Sequence, residues 1–326
     1  MRAMILAAGL GTRLRPLTYR MPKPLAPVLN KPVMEHIAEL LAKHGFTDVI
    51  ANLSYMPEQI REVFGDGSAH GIELSYSDEP DPLGTAGGVG KVRDFLAESE
   101  SFLVISGDAL TDIDLGAMRE AHETHVAEGA IATLATKRVK DTTQFGVAIT
   151  GGDARIQGFQ EKPDPAEALS DLANCGIYMF TRDIFDHFPG PDHNSPAGDD
   201  DQPDGFVDWA QDVFPALLDG DVPFYSHEID AYWNDIGTIS EFTQGNFDAL
   251  DGTVVLEPGP GERREGPLFV GPGCEIADDA ELLAPAVLGE GSTVGAGAKL
   301  RECVLLAYAE LPPGAMAFGG VFASSS

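Results

Sequence analysis

Residues 3–18 read AMILAAGLGTRLRPLT, and the interpretation of the whole chain starts from this stretch. Ala3 to Ala7 is a short apolar run of the kind that forms a buried strand, and it leads directly into Gly9 and Gly11. Glycines after a strand let backbone N–H groups turn toward phosphate oxygens without interference from a Cβ atom. The arginine and lysine that follow add charge that can neutralise a polyphosphate. The spacing is not that of a P-loop, because no Gly-Lys-Ser/Thr follows.

Up to about residue 250, short apolar runs alternate with helical patterns. Asp48 to Leu53 and Phe102 to Ile105 predict further strands, and Pro32 to His44 predicts an amphipathic helix. The apolar face of that helix consists of Val33, Ile37, Leu40 and Leu41. The alternation predicts an α/β fold with a Rossmann-like mixed, mainly parallel sheet flanked by helices. Such sheets bind ligands at the carboxyl ends of their strands, so the loops after strands are expected to carry the chemistry.

The pattern changes after residue 250. Seven apolar residues recur at every sixth position: Val270, Ile276, Leu282, Leu288, Val294, Leu300 and Leu306. This period predicts a short left-handed hexapeptide-repeat β-helix, with Pro312 and Phe318 as candidates to continue the series. We therefore expect a catalytic domain at 1–250 and a β-helix domain at 251–326. The acidic, Pro- and Gly-rich stretch 190–205 predicts a surface loop.

Charge and composition narrow the function. Fifty-two acidic residues against 21 basic ones give a net charge of −31, which argues against nucleic acid and anionic membrane as partners. The acids are spread along the whole chain, which favours a halophilic cytoplasm over a merely acidic surface, although both interpretations stay open. No apolar run of 18 residues and no secretory signal are found. Three widely spaced cysteines lack metal-type spacing and fit a reducing, cytoplasmic location.

Taken whole, the opening segment resembles the sugar-nucleotide pyrophosphorylases, which are sugar-1-phosphate nucleotidyltransferases. The resemblance runs through LAAGLGTRLRPLT, then Pro22-Lys23-Pro24-Leu25 and Asn30-Lys31-Pro32-Val33. It implies that Arg13 and Lys23 grip the phosphates and stabilise the departing pyrophosphate. With the loop at 79–88, it implies that the nucleotide is bound by Leu6, Ala8, Gly9, Gly11, Thr12, Glu79, Gly84 and Thr85. That loop also fits an ordinary strand-to-helix turn capped by Thr85, and both interpretations can hold together.

The choice of base depends on Glu79, which stands five residues before Gly84, where pyrimidine-specific members carry a glutamine. An ionised glutamate only accepts hydrogen bonds, and guanine offers two adjacent N–H donors. We therefore expect GTP, with mannose 1-phosphate as the sugar that the resemblance favours. Glucose-1-phosphate uridylyl or thymidylyl transfer remains the alternative, and so does an exposed loop position for Glu79.

The resemblance also implies a metal and a sugar site. Asp108, after strand 102–105, and Asp235, in Trp233-Asn234-Asp235-Ile236-Gly237, are expected to bind Mg²⁺, which needs only one or two carboxylates beside substrate phosphates. The sugar phosphate is expected to be bound by Gly146, Glu161, Lys162 and Asn174. The catalytic cations are then Arg13, Lys23 and Lys162.

The implied reaction joins a nucleoside triphosphate to a sugar 1-phosphate. The enzyme is expected to be a homo-oligomer whose β-helix packs subunits together or caps the catalytic domain. Two other functions fit less well. An acetylating β-helix would be expected to carry a histidine base, and no histidine follows His227. A silent regulatory subunit would be expected to lack a phosphate or metal residue, and none of the five expected ones is missing.

Overall fold

The computed structural model describes residues 1–190, 193, 195–196 and 205–324. Its described helices are α1 Val33–Lys43, α2 Pro57–Phe64, α3 Gly84–Lys91, α4 Arg93–Leu96, α5 Leu115–Ala127, α6 Phe214–Asp219 and α7 Ile239–Asp251. Its described strands are β1 Arg2–Leu6, β2 Pro27–Val28, β3 Lys31–Pro32, β4 Asp48–Leu53, β5 Glu73–Asp78, β6 Ser101–Ser106, β7 Leu110–Thr111, β8 Ala132–Arg138, β9 Gly146–Thr150, β10 Ile156–Glu161, β11 Leu172–Thr181, β12 Phe224–Glu228, β13 Trp233–Asn234, β14 Glu262–Arg264, β15 Leu268–Val270, β16 Glu275–Ile276, β17 Glu281–Leu288, β18 Thr293–Val294, β19 Lys299–Leu305, β20 Glu310–Leu311 and β21 Met316–Phe322.

The chain divides into two compact units that both draw on separate stretches of sequence. The first unit takes Met1–Leu10, Ala38–Ala109 and Ile113–Trp233. The second takes Gly11–Ile37, Leu110–Asp112 and Asn234–Ser326. The boundary at residue 250 was placed where the alternation of strands and helices gives way to the six-residue repeat. The division into a catalytic domain and a β-helix domain at that residue stays a prediction.

The first unit contains a nine-stranded mixed sheet. Its main path runs β10-β9-β11-β6-β1-β4-β5, and β8 joins β11 to β12. Strands β6, β1, β4 and β5 are parallel neighbours, whereas β11 runs antiparallel to β6, β8 and β9. The predicted strands at the start of the chain, at 48–53 and at 102–105 are confirmed, as is the mainly parallel α/β sheet.

Aromatic residues dominate the core of the first unit. Trp209 is 2% exposed and stacks on Phe180 at 4.5 Å and on Phe214 at 5.6 Å, measured between ring centroids. These rings pack with apolar residues of β1, β6 and α3 in one continuous cluster. Burial of such large apolar surface stabilises the sheet that positions the loops at its strand ends.

The second unit contains the strands of the C-terminal repeat. β15, β17, β19 and β21 pair in parallel, and β16, β18 and β20 form a second parallel set. Lys299 pairs with Glu281, eighteen positions earlier, which is the length of three hexads. The pairing suggests a β-helix, in agreement with the six-residue period.

The last part of the expected series is wrong by one residue. Leu288, Val294 and Leu300 are buried as predicted, but Leu288 pairs with Leu305 rather than with Leu306, Phe318 is 61% exposed and Pro312 is also exposed. Leu311 and Ala317 take the buried positions instead, at 6% and 3% exposure. The reason is the shorter final coil, in which Met316 pairs with Lys299, only seventeen positions earlier.

Helix α7 is fixed within the second unit by a buried amide. Asn246 is fully buried, and its Oδ1 accepts from the N–H of Leu29 at 3.0 Å. Its Nδ2 donates to the carbonyls of Pro27, at 3.2 Å, and Phe242, at 3.1 Å.

None of the helices among the described residues combines the length and the apolar character of a membrane span. Most of the stretch 190–205, expected to be a surface loop, lies outside those residues.

Candidate active site

The loop that follows β1 is held at its start by hydrogen bonds to two neighbouring strand ends of the first unit. The N–H of Ala7 donates to Oδ1 of Asn52, at the end of β4, at 2.8 Å. The N–H of Gly107, after β6, donates to the carbonyl of Leu6 at 2.9 Å. A Cβ atom at Gly107 would lie 2.8 Å from that same carbonyl oxygen, so only glycine allows this close approach. Ala8 is buried, and Gly9 beyond it is exposed.

The rest of the glycine-rich loop belongs to the second unit. Gly11 has a positive φ of 61°, and a Cβ there would lie 2.9 Å from Cγ2 of Thr18. The Thr18 hydroxyl donates to the carbonyl of Gly11 at 2.8 Å and so fixes the turn. One-turn helices follow at Thr12–Leu14 and Lys23–Leu25. Thr12 and Arg13 are thereby exposed, which suits their expected contact with a nucleotide.

Arg13 and Asp235 lie together in the second unit. Nη2 of Arg13 is 3.6 Å from Oδ2 of Asp235, and the N–H of Gly237 donates to Oδ1 of Asp235 at 3.3 Å. A Cβ at Gly237 would approach the Arg13 guanidinium to 3.0 Å, so glycine gives this side chain its space. The sequence assigned these residues to phosphate and metal binding from two separate motifs, and the structure brings those two motifs together.

In the loop between β5 and α3, Glu79 accepts hydrogen bonds from two groups of the protein, which the sequence did not predict. Glu79 is 2% exposed, its Oε1 accepts from Nδ2 of Asn52 at 2.9 Å, and its Oε2 accepts from the N–H of Leu83 at 3.2 Å. Contact of this carboxylate with a base stays a prediction, and it would have to be made in addition to both protein donors. Asn52 itself was missed by the sequence interpretation, because a polar residue inside a buried strand carries no separate signal.

Thr85 does not cap α3 but joins its start to another segment of the first unit. The Thr85 hydroxyl donates to Oδ2 of Asp208 at 2.8 Å and accepts from the N–H of Trp209 at 3.1 Å. Gly84, with a φ of 79°, packs against the backbone of Val207 so closely that a Cβ would collide with it. The proposed capping by Thr85 is therefore wrong, since α3 has no side-chain cap.

The residues expected to bind the sugar phosphate lie on neighbouring strands of the first unit. Gly146 of β9 pairs directly with Glu161 of β10, and a Cβ at Gly146 would lie 3.0 Å from Oε2 of Glu161. Glu161 forms an ion pair with Lys162 at 2.8 Å, with both side chains about half exposed. Asn174 lies on β11, which pairs with β9.

Lys162 and Asn174 are both held by the backbone around them. Lys162 adopts a φ of 44°, and its N–H donates to the carbonyl of Phe145 at 3.1 Å. Oδ1 of Asn174 accepts from the N–H of Gly176 at 3.1 Å, and its Nδ2 donates to the Tyr178 hydroxyl at 2.9 Å. Burial raises the pKa of Tyr178 well above its usual value, so this hydroxyl stays protonated at neutral pH.

The two aspartates expected to bind Mg²⁺ belong to different units. Asp108 lies in the turn after β6, at the carboxyl end of a central parallel strand. Asp235 lies beside Arg13 in the second unit. Their joint coordination of one Mg²⁺ stays a prediction. Within the described ranges, no group of three or more His, Cys, Asp or Glu side chains could hold a metal ion.

A family model described as nucleotidyl transferase matches residues 2–252, and the chain belongs to this family. A UTP–glucose-1-phosphate uridylyltransferase from Synechocystis sp. is 36% identical in an alignment 346 positions long, which covers 97% of this chain and 85% of the relative. A mannose-1-phosphate guanylyltransferase from Mycobacterium tuberculosis is 34% identical over 305 residues, 93% of this chain and 79% of the relative. The predicted membership and the predicted enzyme class, a sugar-1-phosphate nucleotidyltransferase, are confirmed.

Solved structures support the fold. A Bacillus anthracis protein described as a candidate glucose-1-phosphate thymidylyltransferase, crystallised with sucrose, superimposes with a TM-score of 0.64 at 26% identity. The match covers 76% of this chain and 94% of the other. The α/β nucleotidyltransferase fold is thus shared.

Proposed function

We propose that this enzyme transfers GMP from GTP to mannose 1-phosphate and releases pyrophosphate. The observation that carries the choice of base is a carboxylate at position 79. Each Glu79 oxygen has one donor within the protein, which leaves a second lone pair on each for the adjacent N–H groups of guanine. Because the side chain is 2% exposed, neighbouring side chains have to move aside for this contact, while the bonds of Glu79 to Asn52 and Leu83 are kept. The similarity to a guanylyltransferase from Mycobacterium tuberculosis supports the same base.

In the proposed reaction, a sugar-phosphate oxygen attacks the α-phosphorus of the nucleotide in line with the leaving group. One oxygen–phosphorus bond forms, and the bond to the bridging oxygen breaks, so pyrophosphate leaves with the electron pair. The nucleophile is already anionic and needs no general base. Catalysis is then positioning and charge neutralisation, with Arg13 and Lys23 on the triphosphate and Lys162 on the sugar phosphate.

Asp108 and Asp235 are proposed to hold Mg²⁺, whose charge would further neutralise the phosphates when it is bound. Carboxylate oxygens are the ligands that this cation prefers, and substrate phosphates and water complete its shell. The donor set of this chain therefore fits a site that is finished only by the substrate. Asp235 already lies beside a cation, the Arg13 guanidinium, and this proximity supports a role for its carboxylate in balancing positive charge.

Three finer features belong to the same proposal. The parallel C-terminal strands support a left-handed β-helix, and we propose that it packs subunits of a homo-oligomer or caps the catalytic part. The family chemistry supports a cytoplasmic location, where nucleoside triphosphates are available. The net charge of −31 supports a salt-rich cytoplasm.

Uridylyl transfer to glucose 1-phosphate is the second candidate, favoured by the 36% identity to the Synechocystis enzyme over almost the whole chain. The test is pyrophosphate release from ATP, CTP, GTP, UTP and dTTP with mannose 1-phosphate and with glucose 1-phosphate. We expect GTP with mannose 1-phosphate to give the highest kcat/KM, and Glu79→Gln to reduce the ratio of GTP to UTP. A wild-type preference for UTP or dTTP would contradict the proposed base.

A further inference from the structure

Asn52 connects two loops that follow different strands of the first unit. It lies near the end of β4, which stands between β1 and β5 in the sheet. Its Oδ1 accepts from Ala7, two residues before Gly9, and its Nδ2 donates to Glu79. With 3% exposure, the amide is shielded from water, so both bonds are formed within the protein.

Glu79 carries this connection on to the start of α3. Its second oxygen accepts from the N–H of Leu83, directly before Gly84. Gly88 leaves the room that the pair needs, because a Cβ there would lie 2.6 Å from Oε1 of Glu79 and 2.7 Å from Nδ2 of Asn52. One chain of hydrogen bonds, from Ala7 through Asn52 and Glu79 to Leu83, thus sets the distance between the two loops.

The polarity of this chain has only one solution. A backbone N–H can only donate, so Ala7 fixes Oδ1 of Asn52 toward itself and turns Nδ2 toward Glu79. Glu79 must then accept both from Nδ2 and from the N–H of Leu83, and an ionised carboxylate is the group that only accepts. A carboxylate at position 79 therefore satisfies both protein donors, and this role is separate from the contact with the base proposed above.

We propose that Asn52 is a positioning residue for the nucleotide: it holds the glycine-rich loop and the 83–85 loop at the separation that the nucleotide needs. The inference rests on the proposed placement of the nucleotide at these loops, but not on the identity of its base. It predicts that the Asn52–Glu79 pair controls KM for the nucleotide, while KM for the sugar 1-phosphate depends on residues of β9, β10 and β11.

The test reverses the polarity of the pair. Asn52→Asp places two carboxylates against each other and is expected to raise KM for the preferred nucleotide about tenfold or more. KM for the sugar 1-phosphate should change less than about twofold, within the additivity expected of separate sites. In the double variant Asn52→Asp with Glu79→Gln, the carboxylate introduced on β4 would accept from Ala7 and from the new amide, so nucleotide KM should be at least about threefold lower than in Glu79→Gln alone. The base contact proposed for Glu79 is lost in both of these variants, so it cancels from the comparison.

Glu79→Gln alone changes the other partner of the Asn52–Glu79 hydrogen bond. It should also raise KM for the nucleotide more than KM for the sugar 1-phosphate. Asn246→Asp is the matched control, because this buried amide also accepts from a backbone N–H through Oδ1 and donates through Nδ2, here to two carbonyls, but belongs to α7. The Asn246→Asp variant should have a lower Tm, and the ratio of its KM for the nucleotide to its KM for the sugar 1-phosphate should equal that of wild type. An unchanged nucleotide KM in a folded Asn52→Asp variant, an equal rise in both KM values, or no recovery in the double variant would each overturn the inference. Wild-type turnover on the nucleotide panel tests the proposed function separately.

Discussion

At the scale of single residues, Arg13 and Asp235 form an ion pair that contributes little to stability. Their atoms approach to 3.6 Å, and the arginine side chain is about half exposed, so solvent screens most of their attraction. A pair of this kind contributes at most about 1 kcal/mol to the free energy of unfolding. In the site proposed above, an anionic substrate would replace Asp235 beside Arg13, and a divalent cation would replace Arg13 beside Asp235.

Replacing Asp108 or Asp235 by alanine should lower kcat by about two to three orders of magnitude, because each carboxylate is proposed to hold the cation that neutralises the phosphates. The thermal midpoint should change little. Turnover measured across a Mg²⁺ titration checks this, with Asp278→Ala, an exposed carboxylate of the C-terminal repeat, as the control. Near-normal kcat in both variants would remove these aspartates from the metal site.

Residues that belong to a short sequence motif could be predicted, whereas residues whose role depends on their neighbours in the fold could not. Gly146, Glu161 and Asn174 were predicted from three short motifs, and the structure places them on adjacent strands. Asn52 could not be predicted in this way, because its role depends on the neighbours that β4 acquires in the sheet. The bonding of Glu79 to Asn52 was missed for the same reason: the two residues are remote in sequence.

At the scale of elements, α5 is distinguished by histidines packed against the sheet. His122 is 1% exposed, with Nδ1 at 3.2 Å from the Thr133 hydroxyl and Nε2 at 3.1 Å from the Ser101 hydroxyl. His125 shares that Thr133 hydroxyl at 3.0 Å and stacks on Tyr225 at 4.5 Å. Burial lowers the pKa of His122 to about 4, and the charge of His125 contributes in the same direction.

The histidines of this element should make the protein acid-sensitive. The folded pKa of His122 is below its unfolded value of 6.5, so the unfolded chain binds more protons as pH falls. Stability is full above pH 6.5 and declines toward pH 4, by up to about 3 kcal/mol from this residue. Urea unfolding at pH 7.5, 6, 5 and 4.5 should show a shallower decline for His122→Gln than for wild type. Parallel curves for the two proteins would exclude His122 as the cause.

The corrected register of the C-terminal repeat makes a prediction about two apolar residues. Leu300→Ala, which empties a fully buried position, should cost about 2–5 kcal/mol in the free energy of unfolding. Phe318→Ala removes a larger but 61% exposed side chain and should cost less than about 1 kcal/mol. Denaturant titration of both variants compares them directly. A greater loss for Phe318→Ala would restore the unbroken six-residue register.

The six-residue period predicted the repeat but not its final coil, for a definite physical reason. A coil shortened by one residue moves each later side chain to the opposite face, because neighbouring positions on a strand alternate in direction. Leu311 and Pro312 stand side by side in the sequence, so apolar character alone did not distinguish the buried residue from the exposed one.

At the scale of the whole molecule, net charge dominates behaviour in solution. With 52 acidic and 21 basic residues, the protein repels itself at low ionic strength. Dissolved salt shortens the range of this repulsion to about 3 Å at 1 M. Tm is therefore expected to rise steadily between low salt and molar KCl, as measured by scanning calorimetry. A flat or falling Tm over that range would indicate an acidic protein without adaptation to salt.

The alternation of strands and helices predicted the sheet, whereas the grouping into compact units could not be read in the same way. Periodicity reports the local environment of each segment, and it led to a boundary at residue 250. The two compact units draw on segments far apart in the chain, since Gly11–Ile37 groups with Asn234–Ser326, and the domain boundary at residue 250 stays a prediction. That association depends on long-range contacts such as those of Asn246 with Pro27 and Leu29.

Because both compact units draw on separate stretches of sequence, chimeras of this protein with a relative cannot be made by a single exchange. The C-terminal repeat is not an appendage, because Arg263 donates to the carbonyls of Ala249 and Leu250 at the end of α7. A chimera that exchanges the C-terminal segment at residue 250 would therefore replace only part of one compact unit. The remaining segments of that unit would come from the other parent protein. Successful chimeras should be those whose donor supplies residues 11–37, 110–112 and 234–326 together, because these segments form one compact unit.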